Sequence, residues 1–197
     1  MLWLKLDGIT MPTFLTSPGG LALDAPGAPR NVILVGLSGA GKSSAGRLLA
    51  EALARPFLDF DEEIERRAGF TIPGIFAERG EGVFRQMEKD LTTECAQVTG
   101  MVLAPGAGWI MGIGQLELLR PPAQVIYLKV RPDSAARRLG EARIARPLLS
   151  RGGNPASTLE NMLKEREASW AKADDSINTE MYDLQRLVTR IKDVVTG

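Results

Sequence analysis

Residues 36–43 read GLSGAGKS and combine the residue types that bind nucleotide phosphates. Glycines let backbone N–H groups turn toward phosphate oxygens, and a following helix adds partial positive charge at its N-terminus. The lysine supplies a cation for the β- and γ-phosphates, and the adjacent serine supplies a hydroxyl for Mg²⁺. The stretch therefore predicts a nucleoside triphosphate site formed by Gly39, Ala40, Gly41, Lys42, Ser43 and Ser44.

Two carboxylates follow a second short apolar run, at Asp59 and Asp61. The carboxyl ends of parallel strands face the ligand crevice, and residues two apart on a strand point to the same side. We expect one carboxylate to serve Mg²⁺ and the other to hold an acceptor hydroxyl and take its proton. A charged helix cap is an equal alternative, because Asp61 also begins a predicted helix.

An arginine and a glutamate stand three residues apart at Arg85 and Glu88, within the run FRQME. On a helix this spacing places both on one face. One interpretation is an exposed ion pair that contributes about 0–1 kcal/mol. The other is an arginine whose planar fork is held by Glu88 to meet a carboxylate ligand.

Three further segments become informative only together with these motifs. Residues 105–109 (PGAGW) are small residues after a predicted strand, where a ligand can approach the backbone closely. Arg146 begins a loop rich in Arg and Gly that can close over a nucleotide. Arg166 is a second arginine for an acceptor carboxylate. Taken singly, an ordinary loop, a solvated connection and a surface arginine explain them equally well or better.

The elements that must position these residues alternate between strand and helix from residue 31 onward. This pattern predicts an α/β domain at 31–197, a parallel five-stranded sheet with helices on both faces. The predicted strands are 31–35, 56–60, 101–104, 123–130 and 176–179. The predicted helices are 42–54, 61–68, 71–79, 83–99, 114–119, 133–140, 156–173 and 183–195.

Residues 1–30 form an N-terminal extension outside this pattern. Residues 2–6 and 9–15 alternate like two strands joined by a turn at Asp7 and Gly8, and Pro- and Gly-rich loops follow. A β-hairpin or a flexible extension fits. Trp3 and Phe14 favour the hairpin, because large apolar side chains are costly to leave in water.

Composition excludes several classes of protein. The 197 residues include 24 basic and 24 acidic side chains, and this balance argues against a general nucleic-acid binder. The absence of histidine excludes Ser-His-Asp chemistry, and with one cysteine a zinc site or an internal disulfide is not expected. No apolar run is long enough to span a bilayer, and the first 20 residues lack a signal-peptide pattern, so we expect a cytoplasmic protein.

Taken in series, these motifs resemble the shikimate kinase family over about residues 31–195. The matching segments are GLSGAGKS, DFD at 59–61, FRQME at 84–88, PGAG at 105–108, RPLL at 146–149 and REASW at 166–170. The resemblance implies a P-loop NTPase fold like that of nucleoside monophosphate kinases. It also implies transfer of the ATP γ-phosphate to the 3-hydroxyl of shikimate, giving shikimate 3-phosphate and ADP in aromatic amino-acid synthesis. Mg²⁺ would be the cofactor, and ATP and shikimate the small-molecule partners, with no nucleic acid or membrane partner and a monomer as the default.

The resemblance also implies a role for each site residue. Lys42 and Ser43 would serve phosphate and Mg²⁺, Asp59 the metal, and Asp61 the acceptor hydroxyl as the candidate base. Arg85 and Arg166 would hold the shikimate carboxylate, with Glu88 bracing them. Gly106, Ala107 and Gly108 would line the acceptor pocket, with Phe76 and Phe84 packing near it. Arg146 would meet the phosphates from a lid at about 144–156, Arg138 would lie under the adenine, and helices within about 61–88 would bind shikimate.

Three features depart from the family pattern. The family usually has three glycines where this chain has Gly106-Ala107-Gly108, and a Cβ there narrows the pocket or strains a positive φ. Trp170 stands where the family usually has tyrosine, and residues 1–30 have no counterpart.

The alternatives to this function are a kinase for another hydroxy acid such as gluconate, and a non-catalytic module that senses a small acid.

Overall fold

The computed structural model describes residues 3–6, 9–12, 29–120, 122–140 and 154–197. Their centre is a parallel sheet of five strands: β3 (Val32–Val35), β4 (Phe57–Asp59), β5 (Val102–Ala104), β6 (Gln124–Lys129) and β7 (Asp175–Asn178). Across the sheet, these strands stand in the order β4-β5-β3-β6-β7. The predicted five-stranded parallel sheet is therefore confirmed.

The strand before the glycine-rich loop lies at the middle of this sheet. Val32 pairs with Val102 on one side and with Gln124 on the other. All four side chains of β3 are at most 2% exposed. A parallel sheet is covered on both faces, which explains why this strand is an unbroken apolar run and does not alternate with polar residues.

Seven α-helices connect and cover the described strands. They are α1 (Lys42–Leu53), α2 (Phe60–Ala68), α3 (Ile72–Cys95), α4 (Gln115–Leu119), α5 (Pro132–Leu139), α6 (Pro155–Trp170) and α7 (Leu184–Thr196). Short 3₁₀ turns at Trp109–Met111 and Thr179–Met181, which the sequence did not predict, follow β5 and β7. No helix in the described ranges is long and apolar enough to cross a membrane.

Two predicted helices, 71–79 and 83–99, form the one kinked helix α3. Gly80 has a φ of 79° and a ψ of 164°, which interrupts the helix at one residue. The helix ends at Cys95, earlier than predicted, where the buried Asn31 amide donates to the carbonyl oxygens of Cys95 and Val98. This side chain lies more than 60 residues away in sequence, so local pattern does not reveal it.

The predicted strand 56–60 also ends early, at Asp59. The Asp59 carboxylate accepts hydrogen bonds from the backbone N–H groups of Asp61 and Glu62, at 3.0 and 3.4 Å, and so caps α2. Asp61 therefore lies in the first turn of a helix, and the expectation that both aspartates stand on one strand is wrong.

The extension contains two paired strands. β1 (Trp3–Leu6) and β2 (Ile9–Pro12) are antiparallel, with Leu6 opposite Ile9. The second strand is shorter than the predicted 9–15. The remaining residues of the extension lie outside the described ranges, as do residues 141–153, which include Arg146 and most of the predicted lid.

Candidate functional site

A cavity of about 490 Å³ opens at the carboxyl ends of β3, β4 and β5. This volume is within the range of small-molecule sites. All six predicted nucleotide-binding residues from Gly39 to Ser44 line it, together with Asp59, Asp61 and Arg138. The sequence did not single out four further lining residues, which come from the segment after β7: Thr179, Tyr182, Leu184 and Leu187.

The glycine-rich loop has the backbone that a phosphate cradle requires. Gly39 and Gly41 have φ angles of 82° and 94°, which side-chain-bearing residues rarely adopt. At Gly39 a Cβ would also lie 2.6 Å from the Ala135 carbonyl oxygen. Gly41 caps α1, so the N-terminus of that helix points into the cavity beside Lys42.

Lys42 is the buried cation of this loop. Its Nζ donates to the carbonyl oxygens of Gly36 and Leu37 at 2.9 and 3.0 Å, so the ammonium group is held across the mouth of the loop. The side chain is only 9% exposed. This arrangement keeps the positive charge beside the glycines that would surround a phosphate.

Ser43 and Asp59 form a pair of hard oxygen donors. Ser43 Oγ donates to Asp59 Oδ2 at 2.5 Å, and both residues line the cavity. Mg²⁺ prefers oxygen ligands and is usually bound by one or two protein groups together with substrate phosphates. The donor chemistry therefore fits Mg²⁺, although Asp59 is a helix cap at the same time.

The acceptor side of the site is built around Glu88, which is fully buried on α3. Its Oε2 accepts from Arg85 Nη1 at 2.5 Å, whereas its Oε1 has no hydrogen-bond partner within the described residues. Burial raises the pKa of Glu88 to about 7, and nearby Asp61 adds to this effect. The positive charges of Arg85 and Arg166 oppose it.

Arg85 is held by two glutamates. It donates to Glu81 as well as to Glu88, and its side chain is about one-third exposed. Burial acts to lower the pKa of Arg85, but Glu88 and Glu81 outweigh it, so the pKa is raised. The structure thus supports the interpretation of an arginine fixed by Glu88 more than that of a fully exposed ion pair.

Arg166 lies on α6 and is only 9% exposed. Its Nε is buried without a hydrogen-bond partner in the described ranges. Burial lowers its pKa, and the positive charge of Arg85 lowers it further. Two arginines close enough to repel each other, one of them buried, form a site suited to an anionic ligand.

The loop after β5 lies directly against these charged groups. A Cβ on Gly106 would lie 2.8 Å from Asp61 Oδ1 and 3.2 Å from Glu88 Oε1. A Cβ on Gly108 would lie 2.8 Å from Arg85 Nη1. The loop therefore brings Asp61, Glu88 and Arg85 together around its backbone.

Ala107 causes no strain in this loop. It is not among the described residues with a positive φ, and its side chain is buried with the hydrophobic core. The expected conflict with backbone conformation therefore does not arise. Trp170 is likewise 1% exposed and packs its ring 5.6 Å from that of Tyr127.

The two predicted pocket phenylalanines contact each other. The rings of Phe76 and Phe84 are 5.2 Å apart, and the Arg85 guanidinium lies over the Phe84 ring at 5.2 Å. Phe84 is 5% exposed. They form an apolar wall next to the arginine on α3.

The cavity is lined by Arg138, which is fixed by Thr179, whereas Arg85, Glu88 and Arg166 are not among its lining residues. Arg138 Nη1 donates to Thr179 Oγ1 at 2.8 Å, and Nη2 donates to the Thr179 carbonyl oxygen at 3.2 Å. Thr179 Oγ1 donates in turn to the Lys129 carbonyl oxygen at 3.1 Å. Sequence reasoning chose Arg138 but missed Thr179, because no motif connects α5 with the end of β7.

Comparison with known proteins finds one family over most of the chain. The family model described as shikimate kinase matches residues 38–196. A shikimate kinase of Moorella thermoacetica is 36% identical over 167 residues, which cover 85% of this chain and 95% of that protein. The structure of shikimate kinase from Acinetobacter baumannii in complex with shikimate has a TM-score of 0.80 and 37% identity, and the match covers 85% of this chain and 93% of that one.

A gluconokinase from Sinorhizobium meliloti is a more distant structural neighbour. Its TM-score is 0.55 at 19% identity, and the match covers 85% of this chain and 91% of that one. At this identity the likeness extends to the fold alone.

Proposed function

This chain belongs to the shikimate kinase family, and we propose that it transfers the γ-phosphate of ATP to the 3-hydroxyl of shikimate, using the site described above. The products are shikimate 3-phosphate and ADP. The observation that carries the proposal is one continuous series of neighbouring groups. It runs from the phosphate loop through Ser43 and Asp59 to Asp61, and from there past Gly106 to Glu88 and Arg85.

On the nucleotide side, the chain's own residues neutralise and orient phosphate. Lys42 would exchange its bonds to the loop carbonyls for the β- and γ-phosphate oxygens, as a cation held within reach does in phosphoryl transfer. Ser43 Oγ and Asp59 Oδ2 would hold Mg²⁺, directly or through water. When bound, the metal supplies charge neutralisation of the transferring phosphoryl group.

On the acceptor side, Arg85 and Arg166 would clamp the shikimate carboxylate. Burial of Arg166 strengthens such a contact, because little water competes for its guanidinium group, and Glu88 fixes the orientation of Arg85. Asp61 lines the cavity between the phosphate loop (residues 36–43) and the loop after β5 (residues 105–108), which is called the glycine loop below. It would accept a hydrogen bond from the 3-hydroxyl and take its proton as the oxygen attacks phosphorus.

The remaining expectations complete this proposal. Arg146 would reach the phosphates from the lid and help to exclude water, which otherwise hydrolyses ATP. Arg138, held by Thr179 in the cavity, would lie against the adenine. We further propose that the protein acts as a monomer in the cytoplasm, where ATP is available.

The test follows ADP release by the purified protein with ATP, Mg²⁺ and shikimate against a blank without shikimate. We expect shikimate-dependent ADP release that Lys42→Ala abolishes. Release that responds to gluconate and not to shikimate would identify the other hydroxy-acid kinase. Shikimate binding without turnover would identify a sensing module, and either result would overturn the proposal.

A further inference from the structure

We infer that Thr92 is a positioning residue for acceptor binding, because its hydroxyl holds Trp109 and thereby seats the glycine loop against Glu88 and Arg85. Thr92 touches no substrate in this scheme and acts through the loop. The inference rests on the proposed function, since it concerns the affinity of the same site for shikimate.

The first observation is how little tolerance the loop has. The backbone at Gly106 and Gly108 approaches Asp61, Glu88 and Arg85 so closely that a Cβ at either position would meet a charged atom at 2.8 Å. A displacement of this backbone would therefore move the groups that the carboxylates and the arginine lie against. The position of the loop thus matters for how these side chains meet a ligand.

The second observation is that Trp109, directly after the loop, is its anchor. The indole is 0% exposed, and its ring packs edge-on against Phe60 at the start of α2, with ring centres 6.3 Å apart. The Trp109 backbone N–H donates to the Gly106 carbonyl oxygen at 3.1 Å. Movement of the indole would therefore pull directly on the glycine loop.

The third observation is that this indole donates its N–H to a threonine on α3. Trp109 Nε1 donates to Thr92 Oγ1 at 2.8 Å. An indole has a single N–H and no acceptor, so in this fully buried place the bond to Thr92 satisfies its polar requirement. A buried donor that loses its partner is costly.

The fourth observation is that Thr92 also contacts the helical turn that carries Glu88. Thr92 is 0% exposed and lies one helical turn after Glu88, whose carbonyl oxygen is 2.7 Å from its Oγ1. Gln115 Oε1 is 2.8 Å away on the other side, and Gln115 Nε2 donates to the Trp109 carbonyl oxygen at 3.3 Å. The hydroxyl has one proton to donate, to either oxygen, while it accepts from the indole. Thr92 thus connects the turn that carries Glu88 to the Trp109 indole directly, and to the Trp109 carbonyl group through Gln115.

The test replaces this hydroxyl at nearly constant volume. Thr92→Val removes Oγ1, and Thr92→Ser retains it. Thr93→Val is the matched control, because Thr93 is the exposed neighbour on the same helix and its hydroxyl donates to the Lys89 carbonyl oxygen at 3.0 Å. For each variant, initial rates are measured with shikimate and ATP varied separately, and the melting temperature is recorded.

We expect Thr92→Val to raise the KM for shikimate roughly 5- to 20-fold and to leave the KM for ATP within about twofold. Thr92→Ser should recover most of the loss, and Thr93→Val should behave as the unmodified chain. A merely structural role would lower the melting temperature and the amount of active protein without moving the shikimate KM, and that result would overturn the inference.

Trp109→Phe provides a second variant that keeps a smaller aromatic ring and removes the N–H donor. It should raise the shikimate KM in the same direction. The double variant with Thr92→Val should raise it by less than the product of the two single effects, because both changes break the Trp109–Thr92 bond. Fully additive effects would contradict the inference. If the unmodified chain shows no shikimate-dependent turnover, the proposed function itself is overturned, which distinguishes that failure from an unchanged KM in Thr92→Val.

Discussion

At the scale of single residues, the glycine loop shows why small side chains stand at particular positions. From the sequence, small residues in this loop would let a ligand approach the backbone closely, and Ala107 would either narrow the pocket or strain a positive φ. Gly106 and Gly108 are not among the described residues with a positive φ. Glycine therefore suits these positions because a Cβ would crowd the neighbouring side chains, and not because of the backbone conformation. Ala107 directs its methyl group into the core, where a Cβ is accommodated.

Gly106→Ala and Ala107→Gly therefore form a matched pair of substitutions. The new Cβ at position 106 would collide with Asp61 Oδ1 and crowd Glu88 Oε1. We expect at least a tenfold higher KM for shikimate, or about 1.4 kcal/mol of lost binding. Ala107→Gly should change that KM by less than about twofold, because no pocket contact is lost. Initial-rate kinetics check both, and equal effects of the two would contradict the distinction.

Glu88 predicts a pH dependence of stability. Its pKa is raised from 4.5 to about 7 in the folded state. Between these values the folded chain retains the proton and the unfolded chain has lost it, so the free energy of unfolding falls as the pH rises. The loss is complete above about pH 7 and amounts to about 3 kcal/mol at most.

Glu88→Gln should remove this component, because an amide does not titrate. Denaturant unfolding of both proteins between pH 4.5 and 8 measures it. The difference in stability between the unmodified chain and the variant should shrink or reverse as the pH rises through this interval. A difference that is constant with pH would show that Glu88 does not titrate there.

At the scale of elements, the kink in α3 separates two functional halves. Gly80 has a backbone conformation that is essentially restricted to glycine, and the helix after it carries Arg85, Glu88 and Thr92. The kink sets the direction of that second half. The sequence predicted a break in the helix at 80–82, because two of these three residues are glycines. It did not show which of the two has the non-helical φ and ψ angles.

Gly80→Ala and Gly82→Ala test this assignment. A Cβ would have open space at both positions, so the backbone alone decides the effect. We expect Gly80→Ala to lower the free energy of unfolding by about 1–3 kcal/mol. Gly82→Ala should raise it by up to about 1 kcal/mol, because alanine is the better helix former. Denaturant unfolding measures both, and a stabilising Gly80→Ala would contradict the kink.

The hydrogen bonds between Arg138 on α5 and Thr179 after β7 predict an effect on ATP binding that is separate from shikimate binding. Thr179 is 1% exposed and holds Arg138 in the cavity by two hydrogen bonds. Thr179→Val removes the hydroxyl and should raise the KM for ATP about three- to tenfold while leaving the KM for shikimate unchanged. Thr189→Val, at an exposed threonine of α7, is the control. A change in the shikimate KM alone would contradict this assignment.

At the scale of the whole molecule, we predicted that the kinase domain begins at residue 31, and truncation can test this boundary. Asn31 is buried and bonds to Val98 and Met101, and the Arg30 carbonyl oxygen accepts from Arg55. Removal of residues 1–28 spares these contacts, so we expect the melting temperature and kcat to remain close to those of the full chain. Asn31→Ala in the full chain should cost about 2–3 kcal/mol, because it leaves buried backbone groups unpaired. A shorter chain that melts far lower would place part of the extension in the domain.

What the sequence could predict depended on whether the information was local. Alternating apolar runs and loops were enough for the parallel sheet. The motifs, together with the family resemblance, selected Lys42, Asp59 and Arg85 as site residues, and their roles stay predictions. Contacts between distant segments were beyond reach. Examples are the Thr92–Trp109–Gln115 network and the cavity wall at Tyr182 and Leu184, where separate elements meet without any shared spacing. Asp59 was predicted as a metal ligand, but its capping of α2 required knowledge of where the strand ends.

The order of the strands has a consequence for how the chain acquires its fold during synthesis. β3 is the first strand of the sheet to be made, yet its neighbours are β5 and β6, which follow about 70 and 90 residues later. The helix behind the phosphate loop waits longer still, because Ala52 on α1 accepts a hydrogen bond from Lys192 on α7, 140 residues away. Such distant pairings form late, since the closure of long loops precedes any gain from contacts. The residues of the nucleotide cradle are thus synthesised early, whereas the strands and the helix that pack against them are synthesised late. A chain that lacks these later elements would not yet hold the cradle in place.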